Sequence, residues 1–309
     1  MTGTLSDQRI EQRGLEQRGL EQRAKFLTRR NFLLGGSAVA AGMALYSSEI
    51  ARHELSILTR TIAIANLPEA FQNYRVVQIS DIHFDEFTDP AFVTRVVAEV
   101  NRLAPDLLLL TGDFISYGPL PLSFSEGAIH RCAEVLRGLT CPLRFGVMGN
   151  HDTALGYPTV SRALAPAGIP ILYNRYLPIE RDGQRLWLCG VADPAAGQPN
   201  LHFAIPERPD GPVLLMCHAP DYADVVVNHP RGHLVDLMFS GHSHGGQVRL
   251  PFLGPIILPP MGQKYVEGLF RFDHLQLYVN RGIGTVNLPL RLNCPPEITV
   301  FTLQKSNEL

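Results

Sequence analysis

The sequence predicts an α/β fold assembled from repeated strand, loop and helix units. Three observations carry that expectation: short apolar runs rich in branched side chains, helical apolar spacing between the first of them, and a cluster of polar side chains at the end of each run. Residues 74–80 (YRVVQIS) read as a buried strand that breaks at Asp81-Ile82-His83. Asp89 and Pro90 supply an N-cap and a first-turn proline, and Val93, Val96, Val97, Val100 and Leu103 follow at helical spacing until Pro105. Residues 107–110 form a second buried strand closing in Thr111-Gly112-Asp113, and residues 127–139 an amphipathic helix. Residues 143–148 make a third strand, ending in Gly149-Asn150-His151-Asp152, so the first half reads βαβαβ. Further on, residues 213–216 lead into Cys217-His218-Ala219-Pro220, and residues 237–239 into a segment running from Ser240 through His242 and His244 to Gly246. Shorter strands fit residues 185–189, 275–279 and 298–303.

Composition is compatible with this architecture and excludes others. Of 309 residues 45% are apolar, with 27 basic against 29 acidic side chains, which rules out a disordered chain and a polytopic membrane protein. From Ala51 onward 20 Lys/Arg face 24 Asp/Glu, a net of −4, so no global field gathers polyanions and a nucleic-acid partner is not expected. No Pro/Ser-rich linker divides residues 67–309, and one domain over 51–309 is expected.

Residues 1–50 read as an address. Three near-identical five-residue units open the chain (residues 11–25), a period neither helical nor strand-like, which suggests a solvated, disordered tail. Arg29-Arg30-Asn31-Phe32-Leu33 and an uncharged Gly/Ala-rich stretch to Tyr46 follow, an order that resembles a twin-arginine export signal. As a helix, residues 32–46 would span about 22 Å, short of the roughly 30 Å hydrocarbon core. A signal is therefore preferred to a permanent span, and an uncleaved membrane tether is the alternative. The expected partner is the twin-arginine machinery, and the expected location the periplasm or the outer face of the cytoplasmic membrane. Five cysteines without CxxC spacing give neither a disulfide framework nor a structural zinc signature.

The strand-end clusters sum to Asp81, His83, Asp113, Asn150, His151, Asp152, His218, His242 and His244. Strand ends of open α/β sheets are where ligands bind, and imidazole, carboxylate and amide oxygen suit Zn, Mn, Fe, Ni or Co. Each pair alone has a plain alternative: Gly-Asp is a common turn, and Asn-His-Asp reads equally as an Asx turn or helix cap. His218 alone would pass for a satisfied core histidine. The order lifts the set, since all five clusters occur in one chain, each past an apolar run. Rival chemistries lack support, because GxGxxG after a strand, GxxxxGK[ST] and HExxH are all missing.

The series Asp81-x-His83, Gly112-Asp113, Gly149-Asn150-His151-Asp152, His218 and Gly241-His242-x-His244 resembles the calcineurin-like metallophosphoesterase superfamily over about residues 74–246. With the export signal and the tail GHSHGGQVRLPFLGP through NRGIG, it is most similar to the YkuE/YaeI-like bacterial phosphodiesterases. The resemblance implies a four-layer α/β/β/α sandwich and a centre of two divalent ions. It places Asp81, His83, Asp113 and His244 on one ion, and Asp113, Asn150, His218 and His242 on the other, with Asp113 bridging. Two cations roughly 3.5–4 Å apart repel, so an anionic bridge and a bridging hydroxide, which would serve as nucleophile, are expected between them. His151, beside ligand Asn150, would protonate the leaving group, oriented by Asp152 or Asp85. The implied substrate is a phosphoester, first a phosphodiester. The alternative is a lipid-linked pyrophosphate of the UDP-diacylglucosamine type, with residues 251–260 (PFLGPIILPP) flooring an acyl groove; a metal-binding module without catalysis is a third reading. Arg281, near glycines, could fork onto a phosphate or belong to a plain turn. His53, His130, His202, His229, His233 and His274 lie outside the motifs and are expected at the surface or in the core.

Overall fold

The computed structural model describes residues 29–118 and 121–306. Internal contacts divide the chain between Ser47 and Ser48 into two units. In the first, helix α1 (Arg29–Leu45) covers the apolar stretch, with Phe32, Leu33, Leu34 and Val39 exposed. Among the described residues no helix is long and apolar enough to cross a membrane. The five-residue repeats lie outside the described residues.

The second unit contains two sheets. Its strands are β1 (Ser56–Ile64), β2 (Arg75–Ile79), β3 (Leu107–Leu110), β4 (Arg144–Gly146), β5 (Arg175–Arg181), β6 (Gln184–Gly190), β7 (Val213–Met216), β8 (Leu237–Ser240), β9 (Arg249–Leu250), β10 (Gly254–Pro255), β11 (Gly268–Arg271), β12 (Gln276–Val279) and β13 (Glu297–Lys305). One sheet has the order β1-β13-β2-β3-β4, the other β11-β12-β8-β7-β6-β5, and β9 and β10 form a hairpin. Strands β2, β3 and β4 run parallel, as do β6, β7, β8 and β12, so their carboxyl ends emerge together within each sheet.

Period-two alternation sorts the side chains into layers. Leu107 and Leu109 of β3 join Val76, Leu188, Leu214, Phe239 and Tyr278 in a core between the sheets. Leu108 and Leu110 point the other way, against α2 (Pro90–Leu103), α3 (Leu122–Leu136) and α5 (Tyr157–Leu164), which follows α4 (Asn150–Leu155). A third cluster packs α6 (Leu201–Ala204) and α7 (Ala223–Asn228) on the far face of the second sheet, through Leu201, Val226, Leu215 and Met238. The result is the α/β/β/α sandwich. Helix α2 is stopped and started as its sequence dictates: the Asp89 carboxylate accepts from Ala91 N, and Ala104 closes it in the left-handed conformation.

Three differences from the sequence expectation have physical reasons. Strand β1 has a polar, exposed middle (Thr59, Arg60 and Thr61), and β5 is broken up by Arg175, Pro178, Glu180 and Arg181; both are edge strands, which carry no apolar run. Helix α3 begins at Leu122 directly after Pro121, five residues before the expected start at residue 127. The cysteines agree with the expectation: all five are free and buried, as small apolar side chains.

Candidate metal centre

The polar clusters follow β2, β3, β4, β7 and β8, and the parallel strands bring them together from both sheets. Three groups of side chains have ligand atoms all within 4.8 Å of one another: Asp81, His83 and His244; His83, Asp113 and His151; and Asp113, His218 and His242. Asp113 Oδ2 lies 3.4 Å from His83 Nε2 and 3.1 Å from His218 Nε2, so one carboxylate joins both halves of the site. His244 Nε2 sits 3.0 Å from His83 Nε2 and 3.4 Å from Asp81 Oδ1. His242 Nδ1 is 3.2 Å from His218 Nε2. Imidazole nitrogens facing each other in a buried space, beside carboxylates, form a donor set that fits divalent cations.

Asn150, next to His151 in the chain, has an Oδ1 that is buried and without a hydrogen-bond partner among the described residues. A buried acceptor left so is costly unless something else engages it, and a cation in this donor set would do so.

The outward nitrogens of three of these rings are tied down, which leaves their inward nitrogens facing the site. His218 Nδ1 donates to the Thr111 carbonyl at 2.7 Å, and His242 Nε2 donates to the Pro260 carbonyl at 2.8 Å. His83 Nδ1 meets Ser116 Oγ at 3.2 Å, and that hydroxyl donates to Asp85 Oδ2 at 2.8 Å. Such outer partners fix ring orientation in metal sites. Two carboxylates are held by backbone amides, Asp81 by His242 N and Asp113 by His151 N.

Local backbone geometry shows how much the fold invests here. Asp81, His83, Asp113, His242 and His244 all have φ between 48° and 70°, in the left-handed region. Each costs about 1–2 kcal/mol for a side chain with a Cβ, strain that tends to cluster at functional sites. Two glycines permit the close approach. A Cβ on Gly149 would come within 2.2 Å of Asp113 Oδ1, and one on Gly241 within 2.1 Å of Asp81 Oδ2.

Burial and mutual charge set the protonation of these groups. Burial pushes the Asp81 carboxyl up to about 6, with Asp113 adding to it against the pull of His218. Burial would raise Asp113 too, but His218 and then His83 outweigh it and hold Asp113 well below the carboxylate range. Burial lowers His83 to about 3 and His242 to about 4, and takes His244 well below the usual imidazole value, helped by His83 and Arg291. Burial also disfavours a charged His218, yet Asp113, Asp81 and Asp193 together carry it well above that value.

His151 borders the group through His83 and Asp113, but neither expected carboxylate orients it. Its Nδ1 sits between the Tyr117 amide, 2.8 Å away, and the Tyr117 carbonyl, 3.0 Å away. Asp152 instead turns into the protein at the start of α4, accepting from Gly149 N and Phe114 N, because a buried carboxylate there satisfies otherwise orphaned amides. Asp85 is engaged by Ser116, Phe87 and Thr88. Arg281 is paired within the protein, its Nε donating to buried Glu297 at 2.5 Å. None of the six histidines outside the motifs joins a metal-holding group among the described residues.

Three residues escaped the sequence reading. Tyr117 acts through its backbone, which leaves no side-chain signature. Asp193, past the end of β6, is fully buried, with Oδ2 accepting from Ala195 N and Ala196 N. Its position just beyond a strand was the available signal. Arg291 is fully buried and donates to the carbonyls of Arg281, Gly282, Gly284 and Cys294, holding the loop whose Gly282 and Gly284 lie against Asp81 and His83. Nothing in its surroundings in the sequence marks it.

The calcineurin-like phosphoesterase profile matches residues 74–246. The metallophosphoesterase YkuE of Bacillus subtilis is 35% identical, over 92% of this chain and 100% of its own length. The phosphodiesterase YaeI of Escherichia coli is 31% identical, over 90% of this chain and 99% of its own. The UDP-2,3-diacylglucosamine pyrophosphatase LpxG of Chlamydia trachomatis is 28% identical, over 76% of this chain and 86% of its own.

Proposed function

Since the chain belongs to the calcineurin-like phosphoesterase family and is a hydrolase of phosphoester bonds, we propose that it is a phosphodiesterase working with two divalent ions. Asp81, His83, Asp113 and His244 would hold one ion, and Asp113, Asn150, His218 and His242 the other. The observation that carries this reading is Asp113, whose Oδ2 stands within 3.4 Å of both His83 and His218 while its other oxygen is held by the His151 amide. When bound, the ions supply Lewis-acid activation of water and neutralise charge on the phosphate. His83, His218 and His242, pinned at their outward nitrogens, face the site with their inward ones, and His218 would give up its inward proton to a cation. His151, with Nδ1 held at the Tyr117 backbone, keeps Nε2 for a proton that it gives to the leaving oxygen. The buried walls around Asp81, His83 and His218 exclude bulk water from the reacting phosphate.

The test is hydrolysis of bis(4-nitrophenyl) phosphate by metal-loaded protein. Asn150→Ala and His242→Ala should each lower kcat/KM by about a hundredfold or more, the upper range for lost metal-site groups. Undiminished activity in both variants would reject the assigned site.

A second reading, hydrolysis of a lipid-linked pyrophosphate, is favoured by one feature of the β9–β10 hairpin. Phe252, Leu253, Ile256 and Ile257 are between 58% and 106% exposed, so the stretch forms an apolar protrusion of the kind that meets lipid or another apolar surface. The LpxG relative points the same way. Side-by-side assays of a lipid pyrophosphate in micelles and a soluble diester separate the two, and preference for the micellar substrate would favour this second reading.

Arg29-Arg30 ahead of the apolar stretch supports export by the twin-arginine route, to the periplasm or the outer face of the cytoplasmic membrane. Replacing both by Lys should retain the protein in the cytoplasm on fractionation; unchanged export would reject that route.

A further inference from the structure

A cavity of ≈ 400 Å³ opens with His151 in its wall. Its other walls come from residues 85–87 after β2, from residues 116–118 and the first turns of α3 after β3, and from residues 285–289. Phe87, Tyr117, Phe124 and Leu288 line it and remain between 39% and 63% exposed, an apolar rim. Asp85 and Glu86 contribute carboxylates, and no Lys or Arg stands among the described residues that line it. The Asp85 carboxylate is fixed in place, accepting from Ser116 Oγ and Phe87 N at 2.8 Å each. Arg131 lies 3.8 Å from Glu86 and is more than half exposed, and Arg52 donates to the Phe87 carbonyl at 3.2 Å; neither arginine is among the lining residues.

We propose that this cavity receives the leaving group of the phosphoester and selects an apolar alcohol, uncharged or cationic, against an anionic one. The inference rests on the phosphodiesterase reading, and within it on His151 as proton donor, because a donor in the wall puts the departing oxygen at the cavity's mouth. In the reaction the water oxygen bonds to phosphorus as the bond to the leaving oxygen breaks. The leaving oxygen takes the His151 proton, and the water proton passes to solvent. An aryl or alkyl group then rests on Phe87, Phe124 and Leu288, where burial favours it. A pyrophosphate behaves differently: cleaved at either phosphorus, it expels a phosphate group, whose negative charge would face Asp85 and Glu86 with no lining cation to meet it. The cavity therefore distinguishes the two readings of function.

The experiment compares two methyl aryl phosphodiesters matched in leaving-group basicity, one releasing 4-chlorophenol and one releasing 4-hydroxybenzoate. Metal-loaded protein should favour the chlorophenyl ester by about tenfold or more in kcat/KM, the size of a unit-charge repulsion across several ångströms at a protein surface. Glu86→Gln should narrow the ratio by raising the carboxyphenyl rate, and Phe124→Ala should narrow it by lowering the chlorophenyl rate. Saturation-transfer NMR of the free phenols with metal-free protein gives a readout apart from turnover, and should detect 4-chlorophenol in preference to 4-hydroxybenzoate. Equal rates or a preference for the carboxyphenyl ester, with bis(4-nitrophenyl) phosphate still hydrolysed, overturns this inference alone. Loss of activity on all three esters overturns the phosphodiesterase reading and this inference with it.

Discussion

The Asp113 carboxylate joins the two halves of the metal site, and neighbouring groups are fitted around it at short range. Gly149 is buried against it, so Gly149→Ala drives a Cβ to 2.2 Å from Oδ1 and 2.7 Å from the backbone N of Asp113, neither of which is a flexible end. We expect a loss of about 1–3 kcal/mol in urea unfolding, typical of overpacking, together with weaker metal binding; unchanged stability would show that the glycine is not required. His151→Ala should slow esters of poor leaving groups at least tenfold more than activated aryl esters, since only the former need a proton. Equal losses would argue against proton donation. Protonation predicts a third outcome. Near pH 7 the metal-free protein carries a proton on His218, whose value is raised, and Asp81 begins to take one as pH falls toward about 6. His83 and His242, at about 3 and about 4, stay neutral through this range. Cations must therefore displace protons, so affinity falls as the medium is acidified below neutrality, and uptake at pH 7 releases protons. Calorimetry in buffers of different ionisation enthalpy measures that release, and none at pH 7 would contradict the assignment.

At the scale of the element, the site's precision comes from where strands stop. Strands β3, β7 and β8 are buried on all their residues and β2 on all but its first, Arg75, and each hands the chain to a loop that reaches a proposed ligand within three residues. This was legible in the sequence because continuous apolar runs and abrupt polar ends are written locally. Strands β1 and β5 were not legible, since edge strands with Thr59, Arg60, Glu180 and Arg181 on exposed positions carry no such signal. Nor was the orientation of His151, which depends on the Tyr117 backbone thirty-four residues away in the chain. Asp152, adjacent in sequence, was the plausible orienter. A helix start instead draws its carboxylate to backbone amides.

At the scale of the whole molecule, two sheets stacked through a common apolar core set their strand ends side by side, so that Asp81 and Asp113 of one sheet meet His218, His242 and His244 of the other. The seven proposed ligands were legible because their spacing resembles a known pattern; what the pattern could not convey was the cavity beside them, whose walls come from loops without a shared motif. The account's central claim is that these side chains hold a pair of divalent ions. Anomalous diffraction from crystals grown with manganese tests it most directly. Two peaks, one beside Asp81, His83 and His244 and one beside Asn150, His218 and His242, with Asp113 reaching both, are the predicted result. A single peak elsewhere, or none at saturating manganese, would contradict it.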